Sequence, residues 1–449
     1  MRPFICWIHT LRICLPIIFL FLSCIIHAED QCEQATDFSA EEFLPNSYQN
    51  DVYRIRSPIQ TNGYLNTYVI ESDFGDFEAK GQTLLNIRLK EIHALDQLRS
   101  VSKTQVFAEA VVEAGLSPVN TIIDFSKKPV ATIQGIPQGI GNLFSRYLRK
   151  TSDGVRSVKK GISTTKDDLH GSSAEEADSE DETSDSESST AKVKIEGVKF
   201  TERYFKVSRA ERAWHAEFGT DPYTSNEILQ NAIKKVAWAD SLGRFGLRLT
   251  GGLSIAGTSI IGDTYDLVWS KDPYALKDHN RAVLKASGAN DEVIDEFLED
   301  SSLSPSLQTA LIGALEELEG VKGREPILQQ TLFIAEETDA HLFLESLLNL
   351  VWIHTNRVGL DTLIADSPLP AARDSAGNVY APLPADYLYW TCDSAAVLAG
   401  YREIADSYAD KTLFIAGDLS TLARQNLINQ GWRIEINTRQ TLNEDDKAS

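Results

Sequence analysis

Two short apolar runs near the C-terminus of this chain end alike. Thr362-Leu363-Ile364-Ala365 is followed by Asp366 and Ser367, and Thr412-Leu413-Phe414-Ile415-Ala416 by Gly417, Asp418, Leu419 and Ser420. In open α/β sheets ligands lie beyond the carboxyl ends of strands, so Asp366 and Asp418 are candidates for one crevice. Facing carboxylates there could hold a divalent cation through hard oxygen ligands, or share acid and base roles in a hydrolysis. Asp and Ser just after a strand are also ordinary turn and N-cap residues, because their oxygens accept orphan helix amides. That structural role is favoured.

Glu337, His341 and Glu345 are spaced i, i+4, i+8 and so share one helix face. They are candidates for a metal, with His354 as a distant fourth ligand. No HExxH-type pair accompanies them, and Thr338-Asp339 is expected to interrupt the helix. A hydrogen-bonded polar stripe is therefore preferred, and no cofactor is expected. Nucleophile signatures are lacking too: no Gly-x-Ser-x-Gly elbow occurs, and the glycines between Gly251 and Gly257 come without a P-loop lysine. His215, with Trp214 beside it, and the run Asp221-Pro222-Tyr223-Thr224-Ser225-Asn226 look site-like, but the run is explained as a turn before a capped helix.

A stronger feature is electrostatic. Between Lys127 and Lys160 lie Lys127, Lys128, Arg146, Arg149, Lys150, Arg156, Lys159 and Lys160, against the single acid Asp153. Ile136, Ile140, Leu143 or Phe144, and Tyr147 recur within it at helical steps. Residues 138–150, following Pro137, are thus predicted to form a basic amphipathic helix suited to lying on anionic lipid or contacting a partner. Packing of that helix on the N-terminal unit is the alternative, and the favoured one. The chain as a whole carries a net charge of −22, which disfavours nucleic-acid binding, where phosphates need a basic surface.

Residues 1–28 look like an export signal: Arg2 and Arg12, an uncharged run from Ile13 to Ile26, then Ala28 at a small-residue exit. Lipid attachment at Cys24 and retention as an anchor are the other readings of this leader. Three of the five cysteines fall within it, which leaves Cys32 and Cys392. In an oxidising compartment these two can form a disulfide that ties the start of the mature chain to its C-terminal part.

The elements that must position these groups follow from periodicity. The chain is expected to be α+β and helix-rich, in five parts: the signal 1–28, an N-terminal α+β unit 33–150, an acidic linker 161–192, a helical region 193–356, and a small α/β element 357–440. Residues 164–189 contain ten acids and almost no large apolar side chain, too little to offset the entropy of ordering. Strands are predicted over 52–56, 64–70 and 77–79, and helices over 82–99 and from Ser102. Ser208 to Glu211, Thr224 to Glu227 and Ser304-Pro305 mark further helix starts. A helix over 339–355, apolar around most of its girth, should be central. Strand 412–416, a helix over 420–430, Gly431 as its stop and strand 432–436 make a compact βαβ unit.

These features predict an exported cell-envelope protein that binds a partner or an anionic membrane surface and is not an enzyme. The alternative is an exported hydrolase using the strand-end carboxylates Asp366 and Asp418.

Overall fold

The computed structural model describes residues 32–102, 207–239, 259–300, 302–405 and 410–439. The leader, the basic residues Lys127, Lys128, Arg146, Arg149 and Lys150, the acidic linker and the helix expected from Ser102 lie outside them.

The fold is α+β and helix-rich. After a short helix α1 (Ala40–Phe43), four strands form an antiparallel sheet: β1 (Tyr53–Ile55), β2 (Gln60–Thr61), β3 (Asn66–Ser72) and β4 (Gly75–Lys80). Tight pairing of β3 with β4 turns at Asp73-Phe74, where Ser72 and Gly75 are register partners. Helix α2 (Gln82–Ser102) packs on this sheet with Leu84, Leu85, Ile92, Leu95 and Leu98 buried. It runs past the end expected at Arg99, through Ser102, whose hydroxyl donates to the Arg99 carbonyl.

Helices α3 (Arg209–Phe218) and α4 (Glu227–Ala239) follow. Ser208 caps α3 by accepting from the Glu211 amide, and Gly219 ends it in the left-handed conformation that a glycine adopts without a Cβ penalty. Trp214, Phe218, Leu229, Ile233 and Val236 from this pair share one apolar core with Ile55, Tyr68, Ile70, Ile92 and Leu95. Residues before 102 and after 207 therefore bury one another. Helix α4 packs on α2 and α3 packs on α4, so described residues from both sides of the acidic stretch share this core.

A helical layer comes next: α5 (Ser259–Ser270), α6 (Pro273–Ala286), α7 (Asp291–Glu299), α8 (Pro305–Glu317) and α9 (Arg324–Gln330). Asp272 and Ser304 are their clearest N-caps, each followed by proline at the first helical position. Central helix α10 (Glu337–Asn356) starts two residues earlier than expected and is unbroken at Thr338-Asp339. It buries leucines on nearly every side, consistent with its all-round apolar composition.

The C-terminal sheet has the order β11-β9-β7-β6-β5, with β5 (Leu360–Ile364), β6 (Ala371–Asp374), β7 (Val379–Leu383), β9 (Lys411–Ile415) and β11 (Arg433–Glu435). β7, β9 and β11 are parallel, while β5, β6 and β7 are antiparallel. Helix α12 (Thr421–Asn429), capped by Ser420, joins β9 to β11, and Gly431 ends the connection at φ +80°. The predicted βαβ unit is present with nearly the predicted bounds. β8 (Tyr387–Leu388) and β10 (Asp418–Leu419) pair beside it, and α11 (Cys392–Ala405) covers it. Among the described residues no helix is long and apolar enough to cross a membrane.

Candidate functional site

A belt of charged side chains runs between α2, α10 and the end of the chain. It begins where the polar stripe of α10 was read from sequence, but its partners come from elsewhere. Glu337 and Glu345 lie eight residues apart on α10, about 12 Å along the axis, with His341 midway. Each carboxylate meets its own guanidinium.

At one end Arg88 of α2 donates to Glu337 Oε2 at 2.7 Å, to Glu91 Oε2 at 2.8 Å and to Ser225 Oγ at 2.6 Å. Ser225 in turn donates to Glu337 Oε2 at 2.6 Å. Thr224 Oγ1 donates to Glu91 Oε1, and Asn226 Nδ2 to Glu91 Oε2 at 3.0 Å. The turn before α4 therefore has two duties. Asn226 caps the helix by accepting from the Ile228 and Leu229 amides, as its residue type suggests, while Thr224 and Ser225 complete the shell of a buried ion pair. Asp221 stands beside this end, accepting from the Tyr223 amide and the Ser306 hydroxyl. Burial, with smaller contributions from the Glu91 and Glu337 charges, pushes its pKa up to about 6.

At the other end Arg439 donates to Glu345 Oε1 at 2.8 Å, to Gln82 Oε1 at 2.9 Å and to Asp386 Oδ1 at 3.2 Å. Asp386 also accepts the backbone N–H of Gln82 at 2.9 Å and of Asn66 at 3.0 Å. Thr83 Oγ1 donates to Glu345 Oε2 at 2.6 Å. Burial raises the Asp386 pKa, and Arg439 with the two amides pulls against it. The backbone is shaped to this contact: a Cβ on Gly417 would stand 1.9 Å from the Asp386 carbonyl oxygen, and the Gly417 amide donates to Ala385.

The two ends differ in access. The Glu337 side chain keeps 31% of its exposure, whereas that of Asp386 keeps none. Burial works against the Glu337 charge, but Arg88, His341 and the Ser225 hydroxyl outweigh it and lower its pKa. His341 is held below its ordinary range by burial, with Glu337 and Glu345 opposing.

This geometry corrects the metal reading of Glu337, His341 and Glu345. Both glutamates are neutralised by arginines, and among the described residues no group of three or more His, Cys, Asp or Glu side chains is arranged to hold a metal. His354, the proposed fourth ligand, instead accepts the Leu360 amide on Nδ1 at 2.9 Å. Arg88 and Glu91 were missed in the sequence, although a signal was there. They sit at i and i+3 in phase with the apolar face Leu84, Leu85, Ile92, Leu95, and a charge in phase with a buried face needs a partner. Asp386 and Arg439 offered no such pattern, being in a loop and beyond the last strand.

The strand-end carboxylates do not meet. β5 and β9 are separated by β6 and β7, three interstrand steps or about 14 Å. Two-carboxylate hydrolysis works within ~10 Å, so Asp366 and Asp418 do not form such a pair. Both are exposed, and Asp418 lies 3.7 Å from Arg424 while Ser420 caps α12. The cap reading holds for Ser420, while Asp418 itself lies in β10 with its carboxylate accepting the Leu419 amide.

Cys32 and Cys392 are brought together across 360 residues, with Cα atoms 5.2 Å apart and sulfurs at bonding distance. Residues 32–38 are strapped down around them. The Glu33 amide donates to the Trp390 carbonyl at 2.9 Å, the Glu33 carboxylate accepts from the Trp390 amide and the Ser420 hydroxyl, and Tyr389 OH donates to the Thr36 carbonyl. Phe38 packs on Phe43, Tyr387 and Tyr389, with ring centroids 4.7 to 6.1 Å away. Set against known proteins, this chain matches no family, no curated protein and no solved structure.

Proposed function

We propose that the chain is an exported cell-envelope protein that works by binding, engaging an anionic membrane surface through Lys127, Lys128, Arg146, Arg149 and Lys150, with an acidic envelope partner as the alternative target. The observation that carries this reading is the Cys32–Cys392 pair. Stable disulfides belong to oxidising compartments, and these two cysteines are the ones left when the leader is removed. Binding is favoured over catalysis because each belt carboxylate of α2 and α10 is already occupied by an internal donor. Among the described residues, the exposed carboxylates Asp366 and Asp418 follow strands that lie three places apart in the sheet.

The test has two arms. Fractionation of cells expressing the native gene is expected to recover a shortened, oxidised chain in the envelope fraction; an intact reduced chain in the cytosol would refute export. Purified oxidised protein is expected to sediment with phosphatidylserine-containing vesicles and to be released by salt. The triple variant Arg146→Glu, Arg149→Glu, Lys150→Glu should lose that binding. Retention at the unaltered level would remove the basic segment from the account.

A further inference from the structure

We propose that the Cys32–Cys392 bond is a thiol-exchange site, and that its reduction by a protein dithiol of the Cys-x-x-Cys type unlatches residues 32–38 from a body that stays folded. This goes beyond the preceding reading and does not rest on membrane contact. The bond lies at the surface: Cys392 is exposed and Cys32 half-buried, whereas Trp390, two residues before Cys392, is buried. A thiolate of the partner attacks one sulfur and expels the other as a thiolate. The partner's second thiol then displaces the mixed disulfide. Two electrons and two protons pass to the chain, which ends with two thiols, and the partner ends as a disulfide.

The latch depends on that bond. Glu33, Gln34, Ala35, Thr36 and Asp37 are polar or small, so Phe38 is the large apolar anchor of the strap. What else holds it is hydrogen bonding. Phe38 and Ile59 exchange amide-to-carbonyl bonds at 3.0 and 2.8 Å, and Asp37 accepts the Thr61 amide at 3.3 Å. Glu33 and Thr36 reach Trp390, Ser420 and Tyr389. Each such bond gains little over water, whereas ordering the segment costs entropy at every residue. The covalent tie offsets that cost by holding the strap at high effective concentration beside its seat.

The body does not depend on it. The Asp386 and Tyr389 amides donate to the Tyr64 and Gly63 carbonyls at 2.8 and 2.7 Å, and the sealed Asp386–Arg439 pair joins the same two regions. Every fully buried residue of the two large apolar cores lies at Ala40 or beyond. Exchange therefore frees the Ile59 and Trp390 backbone groups and withdraws Phe38 from Phe43, Tyr387 and Tyr389, while both cores persist.

The experiment uses the full oxidised chain without denaturant, treated with thioredoxin recycled by its reductase and NADPH. Mass measurement after alkylation is expected to show Cys32 and Cys392 both modified. Hydrogen exchange should then be about tenfold faster at the Glu33, Phe38 and Ile59 amides, and unchanged at Ile70 in β3, Leu347 in α10 and Leu413 in β9. A bond that yields only after unfolding, or a reduced chain whose Phe38 and Ile59 amides stay protected, would overturn the proposal. Loss of protection at Ile70, Leu347 and Leu413 along with the strap would also overturn it, because the bond would then staple the whole fold. Cys32→Ser with Cys392→Ser reaches the unlatched state without reductant and should show the same pattern; full protection at Phe38 in that variant would refute the latch. Neither arm involves lipid, so failure of the membrane reading leaves these outcomes unchanged.

Discussion

The two ends of the charged belt use the same parts and reach opposite results. Each has an arginine brought from another element to a glutamate on α10, a second carboxylate, and hydroxyl or amide groups filling the remaining valences. At the Arg439 end the shell is closed. Asp386 is wholly buried, two backbone amides point at it, and the disulfide and the strapped residues 32–38 lie a few residues along the chain at Trp390 and Cys392. At the Arg88 end Glu337 keeps about a third of its surface, and Asp221 carries a raised pKa. A sealed ion pair fixes geometry, because breaking it strands a charge without water. A half-open one can exchange partners with solvent.

The sharpest way to break that contrast is at Arg439. Replacing it by Met leaves Asp386 and Glu345 buried without their cation, and a loss of about 4 kcal/mol is expected by urea denaturation, near the cost of uncovering a buried charge. A loss under ~1 kcal/mol would mean that water reaches Asp386 after all. Removing the covalent tie at the same end, by Cys32→Ser with Cys392→Ser, should cost about 3 kcal/mol, the usual size for a native disulfide and below the ~6 kcal/mol that chain entropy alone assigns to a closed loop of 360 residues. Reductant should lower the stability of the unaltered chain by a similar amount and leave the double variant unchanged.

Arg88→Met tests the open end, where a smaller loss of about 2 kcal/mol is expected because Glu337 can recover water and Glu91 keeps its Thr224 and Asn226 donors. An equal loss at both arginines would erase the difference between the two ends. A pH series sharpens it further. Asp221 binds its proton more tightly folded than unfolded, so the folded state gains stability as pH falls from about 6 toward 4 and loses it as pH rises through that window. His215 acts in the opposite sense. Burial lowers its pKa to about 3, so the stability it supports above its ordinary pKa is lost as pH falls below about 6.5. Asp221→Asn should remove the first dependence and leave the second, as read from thermal midpoints between pH 4 and 7. The smallest effect is expected at Asp418, exposed at the end of the sheet. Asp418→Asn should stay within ~0.5 kcal/mol of the parent chain, and a larger shift would reopen a role for it.

Much of the scaffold was legible because its signals are local. The caps at Ser208 and Ser304, the stop at Gly431, the hairpin turn at Asp73 and the βαβ unit each depend on a few adjacent residues whose backbone preferences agree. The helix over 337–356 was found for the same reason, although its first turn was missed where Thr338-Asp339 looked like a break. Composition marks where a chain cannot bury surface, not which flanking helices meet: α4, beyond the acidic stretch, packs on α2 and brings α3 into the same core.

Element types, the helix-rich α+β class and the two cysteines available for a bond are written in the chain, since periodicity, capping and residue counts are properties of neighbours along it. That Glu337 and Glu345 are ion-pair partners of Arg88 and Arg439 emerges in three dimensions alone. The cations that answer them come from 249 residues upstream and 94 downstream, a relation that no local pattern encodes. Sheet order likewise separated Asp366 from Asp418, because two strands that end alike in sequence can still be three places apart in the sheet.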